Sequence, residues 1–189
     1  MPSFLLATSV TQGLNILRET GNRVVGIPEL AGSLAEARRV LPEILAVELL
    51  PAAEPLVRTL EVPAPAAALD SPCAEGSYKS DFGPGGEFFR RHLERGGITG
   101  SGAPITVFVV RDVLGKAGCS LGPLVDHVTV DMSALTGRRL RVLAHELGHA
   151  CGLPHSSAAE NLMLPKSMGD RLQPWQIAVF RSSRHVTYR

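Results

Sequence analysis

Residues 145–155 read His145-Glu146-Leu147-Gly148-His149-Ala150-Cys151-Gly152-Leu153-Pro154-His155. At about 3.6 residues per turn, positions four apart lie one above the other on a helix, so His145 and His149 point their imidazoles at one place and Glu146 falls beside them. Gly152 admits the left-handed conformation that ends a helix, and Pro154 forbids its resumption, so the chain turns and returns His155 as a third nitrogen. Three imidazoles with one coordination position left over make the donor set of a catalytic zinc that holds water; a structural zinc is closed by a fourth protein ligand. One zinc ion per chain is therefore expected on His145, His149 and His155, with Glu146 as the general base. Cys151 lies about 200° round the helix from His149 and aligns with Leu143 and Leu147, so it belongs to the core face and not to the ligand set.

In these residues the chain resembles the metzincin clan of zinc endopeptidases, whose extended histidine motif is followed by a methionine turn. Met163, in Glu160-Asn161-Leu162-Met163-Leu164-Pro165, stands at the place of that methionine. Within the clan the chain is most similar to the matrixins, the matrix-metallopeptidase group, through His155-Ser156-Ser157 and Met163-Leu164-Pro165. The resemblance spans about residues 137–184. It implies an α/β (α+β) fold: a metzincin-like catalytic domain with a twisted, mostly parallel sheet, an antiparallel edge strand, a zinc-binding active-site helix and a C-terminal helix. It implies a zinc-dependent endopeptidase, in which a zinc-activated water is deprotonated by Glu146, and Glu146 returns the proton to the leaving nitrogen. A peptide substrate would lie extended along an edge strand around Val128, Thr129 and Val130, with Leu164, Pro165 and the segment to Met168 walling the S1′ pocket. Lys166 stands where matrixins usually carry tyrosine. The segment Asp81-Phe82-Gly83-Pro84-Gly85-Gly86 lacks the histidine pattern of the matrixin structural-zinc loop, so no second zinc is expected. The alternative is a catalytically idle zinc-binding module of metzincin fold that binds peptide or protein, and the presence of Glu146 argues against it.

With 189 residues, 44% of them hydrophobic, the chain is the size of one domain that buries a sizeable core. The expected organisation is a single metallopeptidase domain over 1–189, with an N-terminal part to about residue 155 and a small C-terminal part carrying the Met163 turn. A formal net charge of +1 without a long basic run gives no electrostatic footprint for nucleic acid, and no apolar stretch reaches the length of a membrane span. No intact signal peptide is legible in the opening Phe4-Leu5-Leu6-Ala7. The resemblance implies an extracytoplasmic protein, and the sequence leaves both the compartment and the oligomeric state open. Cys73, Cys119 and Cys151 permit three alternative disulfides, which the sequence does not rank.

Elsewhere the patterns are local. Ser33-Leu34-Ala35-Glu36 has the form of a capping box, with Pro42 ending or restarting the helix that follows. Flanking strands are expected at residues 23–25 and 56–62, and a surface loop over 63–86. A short helix is expected over 87–95, a buried strand at 105–110 and a loop over 115–123. Residues 127–131 alternate polar and apolar side chains, as a half-exposed edge strand does. Thr136 is the expected cap of the zinc helix, Pro174 opens the last helix, Trp175 is expected in the core, and His92, His127 and His185 are expected to be solvated or hydrogen-bonded without a metal role.

Overall fold

The computed structural model describes residues 8–20, 22–26, 28–51, 56–73, 81–93, 102–136, 140–165 and 169–188. In chain order the first half comprises β1 (Thr8–Ile16), a small hairpin of β2 (Arg18–Glu19) and β3 (Asn22–Arg23), α1 (Ala31–Leu45), β4 (Val47–Pro51), β5 (Val57–Thr59), α2 (Ala66–Leu69), β6 (Asp70–Ser71) and α3 (Pro84–Arg91). The second half comprises β7 (Ile105–Val110), β8 (Asp112–Val113), β9 (Gly118–Ser120), β10 (His127–Asp131), α4 (Met132–Thr136), α5 (Val142–Ala150), α6 (Pro174–Arg181) and β11 (Val186–Tyr188).

Seven of these strands make one mostly parallel sheet around β1. Along one edge of β1 run β4 and then β5, both parallel to it; along the other run antiparallel β11 and then parallel β7. Outward from β7 come parallel β10 and finally antiparallel β9, which closes the sheet on that side. Alternation along each strand sorts the core into two layers. Leu14, Ile16, Ile105, Val107, Val109, Val128 and Val130 face α1 and α5, whereas Leu17, Phe108, Val110 and Cys119 face α2 and α3. Among the described residues no helix is long and apolar enough to cross a membrane.

The α/β fold and the antiparallel edge strand are as expected, but the edge is a different strand. β10 is hydrogen-bonded on both sides and all five of its residues are buried, so Val128, Thr129 and Val130 offer no free backbone to a substrate. The polar residues that suggested a solvated face, His127, Thr129 and Asp131, point into the second core layer or toward local backbone. Asp131, for one, accepts from the N–H groups of Ser133 and Ala134 and so caps α4. Among the described residues the free edge on this side belongs to β9, inside the segment expected to be loop.

Other corrections have physical causes. The first parallel strand is β1, whereas residues 23–25 contribute only to the small hairpin. α1 starts two residues before the expected cap, and Ser33 sits inside it, donating to the Leu135 carbonyl at 2.7 Å. Glu36 makes no capping bond to the start of the helix: it pairs with Arg39 one turn on and with Arg141, the latter at 2.7 Å. These guanidiniums, Arg39 foremost, hold its carboxyl down to about 2. Pro42 removes one helical hydrogen bond, yet α1 runs on to Leu45 because Ala37, Val40, Leu41 and Leu45 are buried on the sheet and α5. Thr136 closes α4 and does not cap α5. Trp175 is half-exposed, and His127 is buried among aromatic rings, whereas His185, though buried, donates to the Ala103 carbonyl at 2.8 Å as a hydrogen-bonded histidine should.

Candidate metal centre and its cleft

The helix α5 presents its apolar stripe, Leu143, Leu147 and Cys151, to the sheet, and all three are fully buried. Its end is a Schellman motif: Gly152 takes φ 93°, Leu153 N–H donates to Gly148 at 2.9 Å, and Gly152 N–H donates to His149 at 2.9 Å. This turn, which Pro154 follows, carries the chain back toward the helix. His145, His149 and His155 thereby converge, with their ligating nitrogens all within 4.8 Å of one another.

Backbone carbonyls set the tautomers. His145 Nδ1 donates to Leu162 O and His149 Nδ1 to Leu153 O, each at 2.7 Å, which leaves both Nε2 atoms as lone-pair donors. Those two lone pairs face each other at 3.1 Å. Two nitrogens bound to one tetrahedral zinc would stand roughly 3.3 Å apart, given Zn–N distances of about 2.0–2.1 Å. The donor set, the tautomers and the spacing therefore fit a zinc ion. Burial pushes the His145 imidazole below its ordinary range, which keeps it in the neutral form a metal requires.

Glu146 is buried, and burial pushes its carboxyl up to about 8 against the opposing charge of Lys116. It lies in a cleft of about 620 Å³ bounded by Lys116–Ser120 on the β9 side, by α5 on the floor, and by Leu162, Leu164 and Pro165 on the far side. Leu164 and Pro165 border this cleft, and residues 166–168 lie outside the described residues. Cys151 is outside the cleft, its thiol pushed up to about 12 by burial, and it is the free cysteine; Cys73 and Cys119 form the disulfide.

Met163 is fully buried under α5, so close that a side chain at Gly148 would stand 2.6 Å from its sulfur. The turn that carries it depends on residues the motif reading did not single out. Asn161 accepts from Met163 N–H at 2.9 Å and donates to Gln176 of α6 at 2.8 Å, while Gln176 also accepts from Gln173 N–H at the start of that helix. This buried network holds the Leu162 carbonyl against His145. Asparagine next to a turn is an ordinary surface signal, so only its burial beside Gln176 reveals the role.

Residues 127–174, from β10 through α5 to the first residue of α6, match the family model of the matrixins, Matrixin (Peptidase_M10). Metalloproteinase-II from Bacteroides fragilis superposes with a TM-score of 0.62 at 12% identity over 95% of this chain and 54% of its own. The chain thus spans about half the length of that protein. A zinc-dependent peptidase from Methanocorpusculum labreanum superposes with a TM-score of 0.52 at 13% identity over 90% of this chain and 99% of its own. The chain has the fold and the zinc motif of the metzincin clan. No curated protein matches the sequence. Within this metzincin fold the matrixin match includes every residue expected in the zinc site: His145, Glu146, His149, His155 and Met163.

Proposed function

We propose that this metzincin-fold chain is a zinc-dependent endopeptidase, with one zinc held by His145, His149 and His155 and with Glu146 as its general base and acid. The observation that carries the reading is the convergence of three imidazole nitrogens, two of them with lone pairs turned to one point, at the floor of a cleft that also contains a buried carboxylate. When bound, zinc supplies a Lewis acid that acidifies water near neutral pH and stabilises charge developing on a carbonyl oxygen.

Glu146 accepts the proton of the attacking water and delivers it to the amide nitrogen as the C–N bond breaks. Its burial supports this double task, because a carboxylate taken out of water holds a proton more readily than an exposed one. The substrate backbone pairs with the free edge of β9, Gly118–Ser120, in the β-augmentation mode. A cleft open along a strand edge suits an extended peptide running through it, which favours internal bonds over chain ends. Leu164 and Pro165, with Val142, form the apolar wall for the side chain following the scissile bond. Met163 serves as the methionine turn by packing beneath α5, not by binding metal; a thioether is a poor match for this imidazole site.

The test is cleavage of an unbiased peptide library by the zinc-loaded protein, with chelator and with zinc added back. Internal cleavage that chelator abolishes and zinc restores is expected. Zinc-loaded protein inert on every peptide would overturn the peptidase reading in favour of a binding module.

A further inference from the structure

The cleft contains one contact that neither the metal motif nor the family match explains. Gly118 opens β9 and pairs with Val130 of β10. A Cβ placed on it would stand 2.7 Å from Glu146 Cγ and 2.8 Å from both Cδ and Oε1. Comfortable carbon–carbon contact begins at about 3.5 Å, so the glycine hydrogen occupies space that no side chain could share with Glu146. The φ of Gly118 is not among the positive ones, so the backbone does not require glycine here; the space does.

The strand is held in place from behind. The Ala117 carbonyl accepts from Asp131 N–H at 3.0 Å, β9 pairs with β10 through Ser120, and Cys119 is bonded to Cys73 on the opposite face of the sheet. Glu146 is rooted on α5 next to His145, so its carboxylate is confined between a helix and a strand that are each fixed by other contacts. Of the two, the side chain is the softer.

We infer that Gly118 is a positioning residue: its missing side chain leaves the slot in which the Glu146 carboxylate stands, and the β9 backbone is the wall of that slot. The catalytic consequence rests on the peptidase reading above. Gly118→Ala is expected to displace the carboxylate while β9, the histidines and the zinc remain in place. A misplacement of about 1 Å at a reacting group costs on the order of 10²-fold in rate.

The experiment compares the parent, Gly118→Ala, Glu146→Ala and the double variant for zinc content, for kcat and KM on a cleaved peptide, and by crystal structures of the first two. Gly118→Ala should retain one zinc per chain and lose kcat about 10²-fold with little change in KM. Alanine at position 146 keeps none of the atoms that meet the added Cβ, so adding Gly118→Ala to Glu146→Ala should change the residual kcat less than about 3-fold. Equal losses in the two backgrounds, or unchanged kcat in Gly118→Ala, would overturn the inference. So would a structure in which β9 moves and Glu146 stays. Should Gly118→Ala alone fail to fold, the double variant, free of the overlap, is expected to fold, and its failure also overturns the inference. If the parent cleaves no peptide, the peptidase reading fails by itself, and the two crystal structures still decide where Glu146 stands.

Discussion

On the α5 face of the sheet three imidazoles converge beside the carboxylate of Glu146, and on the opposite face one imidazole, that of His127, lies near the carboxylate of Asp81. Both carboxylates and the lone imidazole are largely or wholly withdrawn from water, yet the two places differ in what surrounds the nitrogens. His145 and His149 each spend Nδ1 on a backbone carbonyl and turn Nε2 inward, toward a cleft that reaches solvent. His127 is wedged between Phe89 and Phe108, with ring centroids 5.2 and 5.9 Å away. Its Nε2 is 3.8 Å from Asp81 Oδ1, and Asp81 is bonded to Arg90 at 2.9 Å. The first arrangement concentrates lone pairs on one point of an open cleft; the second supplies one weak donor and a carboxylate already neutralised by a guanidinium. Burial of histidine and acid together is therefore common to both faces, and the convergence of oriented lone pairs on an open cleft belongs to one.

The comparison breaks first, and hardest, at the ligands. His145→Ala, His149→Ala and His155→Ala should each lose zinc and peptide cleavage together, because two nitrogens remain for an ion that needs three protein ligands. Glu146→Ala should keep zinc and lose turnover by at least about 10²-fold, the lower range for a positioned proton-transfer group. Zinc analysis beside peptide kinetics separates the two classes, and full activity in Glu146→Ala would remove the general base from the mechanism.

The opposite face should answer in stability. Replacing both Cys73 and Cys119 by serine opens a loop with a sequence separation of 46 and should cost about 2–4 kcal/mol in denaturant unfolding, with the zinc content unchanged. Loss of zinc from a folded double variant would show that the two faces are not independent.

Acid sharpens the contrast further. Burial, opposed by Asp81, holds the His127 imidazole down at about 4, below its ordinary 6.5. As the pH falls through this window the unfolded chain takes up the proton before the folded one, so the stability associated with a neutral His127 is present above about pH 6.5 and is lost toward pH 4. His185, also depressed by burial, acts in the same direction. In the metal-free protein His127→Gln should remove about 2 kcal/mol of the difference between pH 7 and pH 5. A variant as acid-sensitive as the parent would take His127 out of the account.

The smallest effect is expected at Cys151, which shares the zinc helix but faces the core. Cys151→Ala should keep one zinc per chain and cost about 1 kcal/mol, the loss of one small buried group. Stoichiometric loss of zinc with the fold intact would show the helix phase to be misread.

Much of the metal centre was legible before the fold, since its three histidines and Glu146 lie within eleven residues and need only a helix, a glycine turn and a proline. The buried stripe Leu143, Leu147 and Cys151, the strand at Ile105–Val110 and the helix opening at Pro174 were legible for the same reason: each follows a local period or a local stop signal. The edge of the cleft was not. Gly118, Cys119 and Ser120 carry no strand preference, and they form β9 because β10 offers them a partner ten residues later. Alternation in His127–Asp131 was read as one wet face and one dry face, when both faces are dry and the polar side chains find aromatic rings or helix N–H groups. Ser33 and Glu36 fitted a capping box yet bond to Leu135 and Arg141, about a hundred residues away.

By itself the sequence determined the chemistry of the site: three nitrogens, a carboxylate and the turn that unites them, because those relations are set by helix geometry within a short span. The tertiary structure decided what stands around that chemistry. It chose β9 over β10 as the exposed edge and paired Cys73 with Cys119. It brought Asn161 to Gln176 and the Leu162 carbonyl to His145, and set Gly118 against Glu146. Each of these depends on which strands and helices become neighbours, and burial settles that over the whole chain where no local pattern can.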